Sequence, residues 1–484
     1  MLAILIICSF VFFFHILFIN SSKKILIKKL SLLYSGILFV FSLLLWVNFD
    51  TSTSFLQYSY TFNWFSFYNY DVVFGVDGLS LFFILLSTLL IFLCILGSWE
   101  SVSLYVKEYF LCFLALDVLL ILVFSVMDLL VFYIFFESIL IPMFLIIGIW
   151  GSRERKIRAV YLFFFYTLVG SLFMLLAILY LYNKAGSTNY EILLALNLTD
   201  MEQRWLWLAF FLSFATKMPL FPLHVWLPEA HVEAPTAGSV LLAGILLKLG
   251  SYGFLRFSLP FFPDASLYFV PLIFTLSVLG IVFTSLTAMR QTDFKRIIAY
   301  SSVAHMNLVM MGIFSFHMPG IEGSLVQSLS HGFVASALFF LIGVLYDRYH
   351  TRLLLYYGGV VHLMPIYVMF FLFFTMANIA LPGTSSFIGE FLILSGVYSL
   401  NQIGAILGTT GMILGGTYSL WLFNRIAYGN LKTNFLSNFK DLTTREFCIF
   451  VPLIIGTLAL GIYPNLVLNF IHPWFFSTFM FFLN

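Results

Sequence analysis

From Gly78 to Ser98 the chain runs 21 residues without one charged side chain, and comparable stretches recur along its length. A helix needs about 20 apolar residues to cross a hydrocarbon core ~30 Å thick, and repeated runs of that length fit little else. Composition agrees. Hydrophobic residues fill 62% of the 484 positions and charged residues 9%, too few polar groups to coat a water-soluble surface. The expected fold class is an all-α polytopic membrane protein. The stretch Met1 to Asn20 lacks a basic leader and a small-residue cleavage site, so it reads as a true span.

Fourteen spans are expected, centred near Ser9, Phe39, Leu89, Leu119, Leu140, Leu172, Phe211, Leu246, Ser277, Val303, Phe333, Leu381, Met412 and Ile455. Loops after odd-numbered spans then hold 18 of the 23 basic residues, among them Lys23, Arg153, Lys295, Arg348 and Arg445. The opposite loops hold only Lys184, Arg204 and Arg256. Such segregation supports the count and puts the basic face in the bacterial cytoplasm or mitochondrial matrix. The stretches between spans, the longest being Asp50 to Asp77, Asn183 to Arg204 and Tyr428 to Arg445, are expected to be loops or surface helices. Residues 1–105 hold spans one to three, 106–258 and 265–426 two five-span units, and 427–484 a loop and the last span.

Lys217 and Lys248 lie inside spans, as do Asp117 in "FLALDVLLI", Glu137 in "FYIFFESILIPMF", His305 in "SSVAHMNL", His331 in "SLSHGFVAS" and Glu390 in "PGTSSFIGEFLIL". A charge at the bilayer centre costs about 2.5–3.5 kcal/mol, so the five formal charges together cost on the order of 10 kcal/mol unless paired or hydrated. Each has a plainer reading. Glu137 and Lys217 suit a structural ion pair, Lys248 an interfacial lysine, and either histidine a satisfied core residue. Together, spread from span four to span twelve, they mark a path for ions or protons.

In "SFATKMPLFPLHVWLPEAH", Pro219 and Pro222 remove backbone donors directly after Lys217 and break the helix there. Broken helices at membrane depth survive only when buried in protein or lining a wet cavity, where transporters use their ends to hold ions. The terminal carbonyls of the broken helix suit an ammonium. Pro382 and Gly383 interrupt span twelve eight residues before Glu390. The two breaks fall at the fourth span of sets four to eight and nine to thirteen, an odd number of spans apart. That is the layout of two inverted five-helix repeats with discontinuous helices at spans seven and twelve.

A lysine whose carboxylate partner sits ~4 Å away at an effective dielectric near 20 is held charged by about 4 kcal/mol. Moving that partner frees the proton toward Lys248 and the histidines. The energy must come from elsewhere, because no phosphate loop, dinucleotide-binding turn or cysteine cluster is present; Cys8, Cys94, Cys112 and Cys448 are scattered.

These long motifs, covering roughly Glu137 to Glu390, resemble the antiporter-like membrane subunits of respiratory complex I. Glu390 matches the type ending in a carboxylate rather than a lysine. The resemblance implies that Glu137 and Lys217 form a modulating pair, that Lys248 carries the proton centrally, and that His305 and His331 lead to Glu390 at the exit. It leaves Asp117, His224 and the exposed Glu229, His231 and Glu233 less firmly placed, and Lys295 interfacial and structural. It also implies a mitochondrial inner-membrane location and no cofactor in this chain. NADH, FMN, iron–sulfur clusters and ubiquinone would belong to other subunits of the complex. Partners would be the neighbouring antiporter-like subunits and membrane lipid, not nucleic acid. The rival readings are a subunit of a multisubunit sodium/proton antiporter, a plastid-type relative, and a scaffold without transport.

Overall fold

The computed structural model describes residues 1–65, 70–432 and 440–483. Part of the expected loop at 428–445 therefore lies outside the described residues. Two helices, α1 (Leu2–Phe18) and α2 (Lys24–Val47), lead in. An antiparallel hairpin follows, β1 (Gln57–Phe65) and β2 (Tyr70–Val76), with Tyr60 opposite Phe74 and Phe62 opposite Val72. This corrects the all-α expectation. The segment is rich in aromatic and β-branched residues, which favour a pleated, half-buried strand over a surface helix.

Then come α3 (Gly78–Gly97), α4 (Val106–Ser125), α5 (Leu129–Ser138), α6 (Leu140–Trp150) and α7 (Lys156–Ala185). Polar caps start several of them. Asp77 accepts from Ser80 N at 3.0 Å to open α3, and Asp128 accepts from Val131 N at 3.0 Å to open α5. The short α8 (Tyr190–Leu194) precedes α9 (Asp200–Lys217), which Thr199 opens by donating its N–H to Glu202 at 2.9 Å.

Past α9 the chain unwinds, then forms α10 (Trp226–Glu233) and α11 (Thr236–Leu241). The next pass alternates winding: a π turn over Leu242–Leu246, α12 (Leu247–Gly253), a second π turn over Phe254–Ser258, and α13 (Leu259–Phe261). After α14 (Pro263–Tyr268) come α15 (Val270–Arg290), α16 (Phe294–Ile313) and α17 (Met318–Tyr349), the last almost wholly buried. The chain closes with α18 (Pro365–Asn378), α19 (Ser385–Leu400), α20 (Gln402–Ala427), α21 (Thr444–Ile462) and α22 (Asn465–Leu483).

Ten helical passes among the described residues are long and apolar enough to cross a membrane, and α1, α18 and α19 are shorter apolar helices. Two expectations change. The C-terminal region holds two helices, α21 and α22, rather than one. Arg256 is no loop residue: it is 2% exposed, inside the pass that carries Lys248.

Candidate functional site: a buried charge path between two broken helices

Both expected breaks are present. Helix α9 ends at Lys217, and residues 218–225 are non-helical. The orphan ends are satisfied in place. Trp226 Nε1 donates to Thr216 O at 2.8 Å and Asn307 Nδ2 to Pro219 O at 3.2 Å. Pro222 follows a cis peptide bond. Between α18 and α19 the chain turns at Pro382 and Gly383, whose φ of +94° is a conformation suited to glycine. Ser386 Oγ satisfies Ala377 O, and Ser385 Oγ donates to Ser330 on α17 at 2.9 Å.

Lys217 is 3% exposed. Its Nζ sits 3.5 Å from Phe136 O and 4.3 Å from the Phe136 ring centre. Glu137 is close enough to act on it electrostatically, yet the two form no ion contact within 4.0 Å, and Glu137 Oε1 is buried without a hydrogen-bond partner. The two are neighbours without a direct ion contact.

Lys248, fully buried, donates to Ala243 O at 2.5 Å and lies 2.8 Å from His331 Nδ1. Ala243 belongs to the first π turn. Such bulges disturb the regular i to i−4 pairing, and this one presents its carbonyl to the lysine. Gly244 and Gly332 let the two helices cross closely: a Cβ on Gly332 would lie 3.3 Å from Gly244 O and 2.7 Å from Leu86. Glycine one turn before Lys248 and glycine next to His331 thus let the two titratable side chains meet.

His331 and His305 follow ring to ring, centroids 5.9 Å apart. Each turns Nδ1 to an ionisable neighbour and keeps a buried Nε2 without a hydrogen-bond partner. His305 Nδ1 lies 3.1 Å from Glu390 Oε1, which also accepts from Gln327 Nε2 at 3.1 Å. A cavity of about 20 Å³, lined by His305, Asn378, Glu390 and Tyr418, has room for one water beside this carboxylate. Lys248, His331, His305 and Glu390 form one series of contacts from the α11–α13 pass to the second broken pass. An imidazole that takes a proton on one nitrogen and gives it up from the other suits such a series.

Known proteins similar to this chain place it in a family. Residues 126–416 match the family described as NADH:quinone oxidoreductase/Mrp antiporter, transmembrane. NADH-ubiquinone oxidoreductase chain 4 of Chondrus crispus is 58% identical over 459 residues, 95% of this chain and 93% of that one. The chain belongs to the chain 4 family of NADH-ubiquinone oxidoreductases. Chain 4 of Arabidopsis thaliana is 55% identical over 468 residues, 97% of this chain and 94% of that one. A chain of respiratory complex I from Thermus thermophilus superposes with a TM-score of 0.90 at 30% identity, covering 99% of both. A chain of the membrane-bound sulfane sulfur reductase, an archaeal respiratory membrane complex, shares the fold with a TM-score of 0.85 at 21% identity, over 96% of this chain and 76% of that one.

Within this chain 4 homologue, six residues singled out in the sequence stand apart from the path. Asp117 is fully buried with both carboxylate oxygens unpartnered. His224 packs against Phe221, ring centres 5.5 Å apart. Glu229 pairs with Arg296 at 2.8 Å. His231 and Glu233, read as exposed, are in fact 0% and 2% exposed, because α10 dips into the body instead of lying in a loop. His231 stacks on Phe339 with both ring nitrogens unpartnered. Lys295 is buried too, its Nζ donating to Ala234 O at 2.8 Å and Ser239 Oγ at 3.3 Å.

Sequence reasoning missed Gln327 and a buried pair, Arg256 with Asp77, whose oxygens lie 2.6 and 2.7 Å from Arg256 Nη2. It also missed Glu322, whose Oε1 is 2.5 Å from His472 Nδ1 on α22. An acidic residue one turn inside a span was the available signal for Glu322.

Proposed function

We propose that Glu137, Lys217, Lys248, His331, His305 and Glu390 carry protons through this chain. As a chain 4 homologue, the protein is a membrane-arm subunit of a proton-translocating NADH-ubiquinone oxidoreductase and works beside other antiporter-like subunits. Electron transfer from NADH to ubiquinone belongs to the wider complex. The observation that carries the proton reading is the buried series Lys248–His331–His305–Glu390, with 2.8 Å and 3.1 Å contacts at its two ends.

Glu137 modulates. Near Lys217 it holds the ammonium charged; when α5 shifts it away, Lys217 is left desolvated and releases its proton toward Lys248. Lys248 passes it through the two imidazoles, each accepting on one nitrogen as the other loses its proton. Glu390 receives it, with Gln327 fixing the carboxylate. Loss of a carboxylate partner at 4–6 Å is worth a few kcal/mol at an effective dielectric near 20. Moving one charge against 100 mV takes about 2.3 kcal/mol, so a small helix movement supplies a switch of adequate size.

The chain crosses the membrane fourteen times in this reading: α5 and α6 form one pass, α11 to α13 another, α18 and α19 a third, and α22 is extra. Residues 106–258 and 265–426 are two inverted repeats, supported by the opposed breaks after Lys217 and before Glu390. Residues 1–105 and 427–484 flank them. The basic loops face the mitochondrial matrix, as their lysine and arginine excess favours.

Lys248→Met in the assembled complex, sealed into vesicles, tests the reading. Proton uptake and coupled NADH:quinone turnover are expected to fall at least tenfold while the complex still assembles. Uptake and turnover near the native rate would remove Lys248 from the path.

A further inference from the structure

We propose that Tyr418 is a positioning residue of the exit step: its hydroxyl and the Asn378 amide hold one water beside Glu390, and that water takes the proton from the carboxyl. The proposal rests on Glu390 being the last carrier of the path. Helix α20 brings Gly408, Gly411, Gly415 and Tyr418 to one face, because these positions recur every three or four residues. All four line the cavity of about 20 Å³ beside Glu390, and Asn378, at the end of α18, lines it too. A water needs about 10–15 Å³ and two to four polar partners. The polar walls are His305, Asn378, Glu390 and Tyr418. The Tyr418 hydroxyl stands at the edge of this space. Apart from its own helix backbone, a Cβ on Gly415 would meet only Tyr418 Oη, at 3.7 Å. Tyr418 is 2% exposed, in electrostatic reach of Glu390 and in hydrogen-bonding reach of Ser301 and Asn378.

A phenol donates one hydrogen bond and also accepts through its oxygen. Ser301 Oγ already donates to Ile298 O at 2.8 Å, so towards Tyr418 it acts as an acceptor. Tyr418 donates there and keeps its oxygen to accept from a water. The Asn378 amide oxygen accepts the second hydrogen of that water. Glu390 is fixed from the other side, since its Oε1 lies 3.1 Å from both Gln327 Nε2 and His305 Nδ1. That leaves Oε2 to carry the acidic proton. With both its hydrogens engaged, the water presents a lone pair to Oε2. The Oε2–H bond breaks, an O–H bond forms on the water, and the carboxylate stays held by Gln327. The excess proton then passes to water on the non-basic side. Without the Tyr418 oxygen the water is free to turn a hydrogen towards Glu390, and the transfer loses its alignment.

The test uses the whole enzyme complex in sealed vesicles, with Tyr418→Phe and Gly415→Ala. Tyr418→Phe removes only the hydroxyl. Gly415→Ala puts a methyl group into the cavity, with Tyr418 Oη at 3.7 Å as its one neighbour beyond the helix backbone. Alanine also favours a helix over glycine, so a loss of pumping there is not a loss of folding. Two quantities are read: proton uptake per NADH oxidised, and the infrared C=O stretch of protonated Glu390, assigned by its disappearance in Glu390→Gln. Both variants are expected to lower uptake about tenfold to a hundredfold, the worth of one hydrogen bond at an ionising group. Both are also expected to move the Glu390 band to higher wavenumber, as loss of a water partner does. A tyrosine that merely packs would change assembly and leave the band in place. Either native uptake or an unshifted band in Gly415→Ala overturns the proposal, whether or not Tyr418→Phe assembles. Native uptake in Glu390→Gln overturns the underlying path instead.

Discussion

Gly250 sits where α12 crosses the broken end of α9, and replacing it with alanine tests whether that crossing holds Lys217 in place. A Cβ at Gly250 would lie 2.8 Å from both Phe214 O and Met218 N, and 2.6 Å from Met218 Cβ. Ordinary contact begins at 3.4 Å, so the backbones must part by 3.4 − 2.8 = 0.6 Å. No side-chain rotation relieves this, because two of the three atoms belong to the backbone. Overpacking of this kind costs about 1–3 kcal/mol, offset by the 0.5–1 kcal/mol that alanine gains over glycine inside a helix. The functional effect is larger. Lys217 lies between Phe214 and Met218, and functional groups need placement within about 0.5 Å. Misplacement by 1 Å costs about a hundredfold, so 0.6 Å is expected to cost on the order of tenfold in coupled proton uptake. The assay is proton uptake by sealed vesicles during NADH oxidation, with uncoupled turnover measured alongside. Gly148→Ala is the control, since its nearest atom would be 3.9 Å away. If Gly250→Ala pumps and melts like Gly148→Ala, the crossing does not position Lys217.

Two further outcomes concern the buried Arg256–Asp77 pair and the turn at Gly383. Arg256→Met leaves Asp77 buried and uncompensated and is expected to cost about 3–5 kcal/mol, seen as loss of assembled complex on native gels; adding Asp77→Asn should restore much of it, and equal losses in both variants would count against the pair. Gly383→Ala meets no atom within 4 Å, so its cost should be backbone strain alone at φ +94°, about 1–2 kcal/mol, read as thermal inactivation of the complex a few degrees earlier. Unchanged inactivation would mean that the turn relaxes.

What the sequence disclosed depended on how local its cause was. The break after Lys217 was legible because Pro219 and Pro222 act on their own backbone, and the same holds for Pro382 and Gly383. The path residues were legible because a charge inside an apolar run stands out. The π turns around Lys248 were not legible, since no proline or cap marks them and they arise from how α11 to α13 pack against α17. Arg256 looked like a loop residue because its partner, Asp77, is 179 residues away. His231 and Glu233 looked exposed because three prolines precede them, and only the fold shows α10 turning inward. The hairpin was missed because aromatic and apolar runs near spans read as more helix, although its alternation of Tyr, Thr and Phe was a usable signal.

The central claim is that Lys217 handles protons beside its helix break. It is tested most directly by Lys217→Met in the assembled complex, with proton uptake and NADH:quinone turnover followed together in sealed vesicles. The expected result is a complex that assembles normally while uptake and coupled turnover both fall sharply. Uptake and turnover close to the native values would contradict the claim and leave Lys217 as a structural residue of α9.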